Sequence, residues 1–257
     1  MRSSSDIKLI SVNSYSKSVY SIKKSAFQDL VEFDSDAPSS LVMKRTKNYD
    51  TVVEANIVNG LSSLTFESIY SRGINDLSMR LYGKRLVAKE YAPIRESISR
   101  VNNLEFRHEG GYSFHEYVEG STFLDFRTSL GSRIANLRTD AERQVYRTFI
   151  QNLLSKLPKK EAELQNVFKR AGYEWRDYKS DNIMMLFKNS AGQKVSLDEI
   201  LQSSELASIV EPEFVIIDLG GTKIVPIGSG RAYLMGRPDP APTAYEALIR
   251  TLNNFEI

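Results

Sequence analysis

The stretch Trp175-Arg176-Asp177-Tyr178-Lys179-Ser180-Asp181-Asn182-Ile183-Met184-Met185 sets a carboxylate, a cation two residues on and an amide five residues on, directly ahead of an apolar, strand-like run. Further along, Phe214-Val215-Ile216-Ile217 runs as a second apolar strand into Asp218-Leu219-Gly220-Gly221. Phosphoryl transfer from a nucleotide uses such parts. One carboxylate orients the attacking hydroxyl, while an amide and a second carboxylate hold Mg²⁺.

Around this stretch the periodicity is helical upstream and mixed downstream. Thr139-Asp140-Ala141-Glu142 is a capping box. Val145, Phe149, Ile150, Leu153, Leu154 and Leu157 then form an amphipathic stripe, predicting a helix that Pro158 ends. A second helix is predicted from about Lys159 to Ala171, with Leu164, Val167 and Phe168 inward and Gly172 as its stop. After the strand Ile183 to Phe187 come a turn at Asn189-Ser190-Ala191-Gly192 and a short helix, capped by Ser196-Leu197-Asp198-Glu199, through Leu206. The tail holds Gly228-Ser229-Gly230, prolines at 238, 240 and 242, and a last helix near Thr243 to Leu252.

Towards the N-terminus the pattern turns to alternation. Ile7, Leu9 and Val12, then Val19, Tyr20 and Ile22, read as two short strands. The joining segment Asn13 to Ser18 has no glycine. Ser14 and Ser16 would still let backbone N–H groups approach a phosphate, less freely than glycine, and an ordinary hairpin turn reads the same. Ser39 to Arg45 is a strand whose Lys44 shares a face with Val42. Val53 to Leu61 is predicted as a helix, its stripe formed by Val53, Ile57, Val58 and Leu61, with Glu54 beside it. A Lys44–Glu54 ion pair would then position the ammonium for phosphate oxygens.

Residues 62–105 carry apolar side chains without clean periodicity: Ile69, Tyr70, Ile74, Leu77, Met79 and Leu81. Tyr82 to Arg85 reads as a hairpin turn, Leu86 to Ala88 as a returning strand, and Ile94, Ile98 and Val101 keep helical spacing after Pro93. Tyr112 to Val118 alternates as a strand, closes at Glu119-Gly120, and gives way to a helix opening between Ser121 and Leu130.

The 257 residues allow one large domain or two small lobes, and 41% hydrophobic with 26% charged composition excludes a wholly disordered chain. Thirty-four basic against 32 acidic side chains leave +2, which argues against nucleic acid as a partner. With no cysteine there is no disulfide framework or thiolate chemistry. The two histidines, His108 and His115, lack zinc-ligand spacing. No run is long and apolar enough to span a bilayer, no secretory-type core follows Met1, and the serine-rich start reads as a flexible segment followed by polar strand faces, a non-cleaved export signal being the alternative. A cytoplasmic protein is the expectation.

Taken in chain order, these pieces resemble the protein-kinase superfamily over most of residues 10–225. Val42-Met43-Lys44 resembles the strand whose lysine grips the α- and β-phosphates, and Glu54 with Ile57, Val58 and Leu61 the helix whose glutamate pairs with it. His115-Glu116-Tyr117-Val118-Glu119-Gly120 is similar to the last small-lobe strand and hinge, whose backbone at Glu116 and Val118 would meet the adenine edge. Arg176-Asp177-Tyr178-Lys179-Ser180-Asp181-Asn182 resembles the catalytic loop, and Asp218-Leu219-Gly220 the metal-binding triplet. The chain departs from the pattern in its glycine-free phosphate loop, in Trp175 where a histidine or similar residue is usual, and in the short Lys44–Glu54 spacing. Segments 62–105 and 188–212 look like insertions, and only 37 residues follow Gly220. This resembles the minimal kinases of bacterial effectors and viruses.

The resemblance implies an α+β, two-lobed kinase-like fold. Residues 1–119 would form a small antiparallel-sheet lobe with one helix, and residues 120–257 a reduced, mainly helical lobe. It implies ATP and Mg²⁺ as cofactors, with Lys44 (held by Glu54), Ser14, Ser16, Glu116 and Val118 binding nucleotide. Asn182 and Asp218 would ligate the metal, Asp177 would act as catalytic base, and Lys179 would reach the γ-phosphate. Lysine at that position resembles Ser/Thr protein kinases, so a protein hydroxyl is the expected acceptor, a host protein if the chain is delivered into a host cell. The alternatives are a pseudokinase scaffold and, third, a small-molecule kinase. A partner protein completing the short second lobe is a further expectation.

Overall fold

Strict alternation builds the first sheet. Within Leu41-Val42-Met43-Lys44 the first and third side chains are fully buried and the other two half-buried, as a strand with one face on a core requires. The computed structural model describes residues 6–12, 18–29, 31–45, 66–94, 100–101, 104–105, 112–175, 180–217, 224–226 and 244–252. Over these residues the protein is α+β, with a five-stranded antiparallel sheet and six α-helices. It divides into two compact units, Met1–Asp76 with Ala88–Tyr117 and Leu77–Val87 with Val118–Ile257.

The first unit contains strands β1 (Ile7–Val12), β2 (Ser18–Lys23) and β3 (Ser40–Arg45), then the start of helix α1 (Phe66–Tyr82). Strands β4 (Glu90–Ile94), β5 (Arg100–Val101), β6 (Leu104–Glu105) and β7 (Tyr112–Glu116) follow. The sheet runs β1-β2-β3-β7-β4, and β5 and β6 pair only with each other. One face holds the core: Ile7, Ile22, Leu41, Met43, Phe114 and Tyr91, with Phe27 and Phe33 set edge-on to Phe114 at 5.3 and 5.1 Å. Full burial of each such aromatic stabilises by about 1.5–3 kcal/mol. Tyr91 joins this core at a bulge, where β4 carries an extra residue between Glu90, opposite His115, and Ala92, opposite Phe114.

Strand β4 continues through Pro93, tolerated on an edge strand, so helical spacing does not start there. The loop between β2 and β3 is clipped to β4 by Lys89. Its Nζ lies 2.7 and 2.8 Å from the Asp36 carboxylate oxygens, 3.4 Å from Asp34 and over the Tyr91 ring. Burial works against this charge, but the two carboxylates outweigh it and hold the ammonium above the usual lysine range.

Residues 66–82 form one helix where no periodicity is evident in the sequence. Its buried positions from Ser71 onward are Ser71, Ile74, Asn75 and Ser78, a regular helical stripe in which three of four side chains are polar. Tyr82 to Arg85 is correspondingly no hairpin turn. Gly83, at φ +67°, ends the helix, its N–H donating to the Met79 carbonyl.

The second unit contains β8 (Ser121–Thr122), α2 (Phe123–Ile134), α3 (Asp140–Arg170), β9 (Tyr173–Trp175), β10 (Ile183–Lys188), α4 (Leu197–Leu201), α5 (Ser204–Ile209), β11 (Glu211–Ile216), β12 (Ile224–Pro226) and α6 (Ala244–Leu252). Thr122 caps α2 through the Asp125 N–H. The predicted break at Pro158 is absent, since α3 is a single 31-residue helix. Its buried stripe of Phe149, Leu153, Leu157, Leu164 and Phe168 keeps one face across the proline. Burial of such side chains outweighs the roughly 3 kcal/mol of an interior proline. The predicted helix through Leu206 is two helices, broken where Ser203 caps α5. A chain of rings, Phe123, Phe126, Phe149, Phe187 and Phe214, joins α2, α3, β10 and β11 at centroid separations of 5.6 to 6.4 Å.

Candidate functional site

The candidate site is built from strand ends. Strand β10 is buried along five consecutive residues, as a central strand covered on both faces must be, and lies between β11 and β8. Its pairing with β11 sets Ile183 opposite Ile216, and just beyond the ladder the Ile217 N–H donates to the Asn182 carbonyl at 2.9 Å. Strands β9 and β12 pair with Trp175 opposite Ile224. The two antiparallel pairs are therefore nested: β9 and β10 flank residues 176–182, and β11 and β12 flank 217–223. At the far side of the first segment, the Leu124 N–H in the first turn of α2 donates to the Ser180 carbonyl at 3.1 Å. Ser180 and Asn182 are thus each fixed by a main-chain bond from a different element.

Ile216 receives a third element. Its N–H donates to the Leu86 carbonyl at 2.8 Å, and Val87 forms a parallel bridge to it. The segment carrying Leu86 is anchored to α3 by Lys84 Nζ on Glu163 Oε2 at 2.8 Å and by Asn166 Nδ2 donating to the Tyr82 hydroxyl at 2.7 Å. The Leu86–Ile216 contact has no signal in the sequence, because the atoms that meet are main chain.

In the first unit, Lys44 pairs in register with Val19 and Ser113, half-buried on the sheet face opposite the aromatic core. The same face carries Val42, whose partner on β7 is His115, and Glu90 beyond it on β4. His115 and Glu90 are both buried, at 3% and 4% exposure. Glu116 ends β7. Its N–H donates to the Lys89 carbonyl at 2.7 Å, and its Oε2 accepts from the Lys89 N–H at 3.3 Å. Both its carboxylate and its N–H are thus engaged on the main chain of Lys89.

Val118 is half-buried and, like Tyr117, makes no hydrogen bond among the described residues. Two residues on, Gly120 has φ +151°, and a Cβ there would stand 2.9 Å from the Met185 carbonyl oxygen. The linker thereby lies directly against β10.

Of the sequence-predicted residues, Lys44, Glu116, Val118 and Asn182 have these positions. Glu54 and its helix, Ser14, Ser16, Asp177, Lys179 and Asp218 lie outside the described residues. Among the described residues no cluster of His, Cys, Asp or Glu is arranged to hold a metal, and no helix is long and apolar enough to cross a membrane. No family model matches the chain, and no curated protein matches it.

Proposed function

We propose that the protein is an ATP- and Mg²⁺-dependent kinase that transfers the γ-phosphate to a protein hydroxyl. Its two units correspond, in this proposal, to the sheet lobe and the reduced helical lobe of a minimal kinase. The observation that carries it is the nested pairing of β9 with β12 and β10 with β11. Asn182 is bonded to Ile217, one residue before Asp218, and the 176–182 segment with Asp177 begins and ends on the same strand framework. An amide at Asn182 and a carboxylate one residue after Ile217 are ligand types that would suit a divalent ion.

Two further features support the reading. Lys44 stands on the third strand of an antiparallel sheet, the context a phosphate-gripping lysine requires, and faces away from the apolar core. The Tyr117–Val118 main chain, not engaged in any ladder, suits an adenine edge. In this reading Lys44 would neutralise charge on the α- and β-phosphates, and Asn182 with Asp218 would hold Mg²⁺, which would supply further charge stabilisation. Asp177 orients the acceptor hydroxyl and takes its proton, while Lys179 meets the transferring group. Glu54 is the proposed partner of Lys44. Glu67, in the first turn of α1, the first helix described after β3, is the second acidic residue to test in that role.

The deciding experiment follows transfer from γ-labelled ATP to the protein itself and to proteins of a cell extract, for the wild type and Asp177→Asn. Loss of a general base lowers turnover by about 10²–10⁴-fold. The variant should therefore fold and stay dark. Wild-type turnover in the variant would sink the assignment. A Mg-ATP thermal shift with no transfer to any acceptor would point instead to a pseudokinase scaffold.

A further inference from the structure

We infer that the outer face of α3 docks on an anionic membrane surface, held by the charge of lipid headgroups and without insertion. This stands apart from the phosphotransfer reading. Between positions 143 and 170 the exposed cations of the helix are Arg143, Arg147, Lys159, Lys169 and Arg170, and no carboxylate is exposed there. The two acids of that span are withdrawn: Glu161 is buried, and Glu163 is paired with Lys84 at 2.8 Å. On the flank, Glu211 is already matched by Lys156 and Lys160. Asp140 and Glu142 lie ahead of the row in the first turn, where Glu142 accepts from the Arg138 and Thr139 N–H groups. Among the described residues none of the five cations pairs with a carboxylate, and Arg170 donates its Nε to the Asn166 side chain at 3.2 Å.

Helix stability does not account for this row. Arg143 stands near the N-terminal end of α3, where a cation opposes the macrodipole, and Arg147 follows four residues on, so that like charges are neighbours. Only Lys169 and Arg170, in the last turn, complement the dipole. A face that serves solubility alone interleaves both signs. Residues 143 to 170 span about 40 Å along the axis, and at about 100° per residue the five positions fall within one half of the circumference. Their long stems let all five heads approach a single plane to within a Debye length, about 8 Å at physiological salt.

The occupant follows from what the face lacks. Its exposed apolar residues are Pro158 and Ala162 alone. It therefore has neither the large anchors of a specific protein interface nor the apolar edge of an inserting helix. It has no aromatic on which bases would stack, and a net charge of +2 supplies no field to steer a nucleic acid. A layer of anionic headgroups requires neither anchors nor register. About four to eight cations on one helix face suffice.

The test is co-sedimentation of the full chain with phosphatidylcholine–phosphatidylserine vesicles, against phosphatidylcholine alone. The wild type should bind only the former, and should be released between about 0.1 M and 1 M salt, as the Debye length falls from about 10 Å to about 3 Å. Each cation near such a surface is worth about fivefold in affinity, so Arg147→Gln, Lys159→Gln and Lys169→Gln together should weaken binding on the order of 10²-fold. Lys8→Gln, Lys23→Gln and Lys194→Gln remove the same charge from exposed sites off this helix and should leave affinity within about twofold. Arg143→Lys with Arg147→Lys keeps the charge and should bind as the wild type does.

No binding to the phosphatidylserine vesicles, or an equal loss in the two triple variants, would overturn the proposal. Loss in the Arg-to-Lys pair would mean recognition by guanidinium geometry, which a diffuse headgroup layer does not require, and would overturn it as well. So would tighter binding of a short DNA duplex or of polyglutamate than of the vesicles at the same salt, which would assign the face to nucleic acid or to an acidic protein.

Discussion

Replacing Gly120 by alanine tests the frame at its tightest point. The added Cβ would stand 2.9 Å from the Met185 carbonyl oxygen and 3.2 Å from Leu186 Cδ2, in a backbone at φ +151°. The oxygen cannot easily withdraw, because Met185 pairs with Phe214 on one side and Ser121 on the other. Two penalties therefore combine. A side chain forced into a sparsely populated backbone region costs about 1–3 kcal/mol, and crowding a packed site costs about 1–3 kcal/mol. Together they give roughly 2–6 kcal/mol, a large part of the ~5–15 kcal/mol total for a folded domain.

Gly192→Ala supplies the internal control. Gly192 has φ +76°, but a Cβ added there would meet nothing within 4 Å, so only the backbone penalty remains, about 1–2 kcal/mol. Urea unfolding at matched slope measures both variants. If Gly120→Ala falls within about 0.5 kcal/mol of Gly192→Ala, the close approach of Gly120 to β10 is wrong.

Two further predictions address the helical layer. Pro158→Ala should stabilise the fold by about 1–3 kcal/mol, read as a higher urea midpoint, since the exposed proline interrupts the hydrogen bonding of α3 while the flanking stripe stays buried. A lower midpoint would mean that the packing of α3 depends on the proline. Acid should weaken the fold through three carboxylates. Burial raises the Glu211 pKa, but Lys156 at 2.7 Å and Lys160 at 3.6 Å outweigh it and bring it below 4.5, while main-chain N–H donors at Thr139 and Ser196 lower Glu142 and Glu199. Groups depressed in the folded state stabilise fully above their unfolded value and lose that contribution as pH falls through the folded one. Urea midpoints should thus hold down to about pH 5 and decline below it, and Glu211→Gln should flatten the decline. An unchanged acid slope in Glu211→Gln would refute the pairing with Lys156.

How much of this was legible in the sequence depended on whether buried positions were also apolar. Strands β3, β7 and β10 and the cap of α3 could be read because Leu41, Met43, Phe114 and the Thr139–Glu142 box obey simple periodicities. The α1 helix could not, since Ser71, Asn75 and Ser78 occupy its buried stripe and erase the apolar period. Pro158 and Pro93 misled in opposite ways. A strong buried face carried a helix through the first, and an edge position admitted the second into a strand. In the candidate site, the placing of Lys44 away from the core followed from alternation alone. The bonds from Leu124 to Ser180, Ile216 to Leu86 and Ile217 to Asn182 join main-chain atoms of distant segments, and no side-chain pattern encodes them.

That contrast bears on the proposed chemistry. A metal site tolerates only a few tenths of an ångström of misplacement in its ligands, so the supporting shell has to be stiffer than the loop that bears them. Here the stiffness comes from a β10 buried on both faces, and from three main-chain bonds that meet within two residues of Asn182 and Ile217. Main-chain bonds are indifferent to side-chain identity. Such a frame can persist while Trp175 and the glycine-free segment after β1 depart in sequence from the usual kinase pattern. Under the proposed function, Lys44, Asp177, Lys179, Asn182 and Asp218 match the pattern among the residues meant to touch phosphate, metal or hydroxyl, whereas the phosphate loop with Ser14 and Ser16 does not.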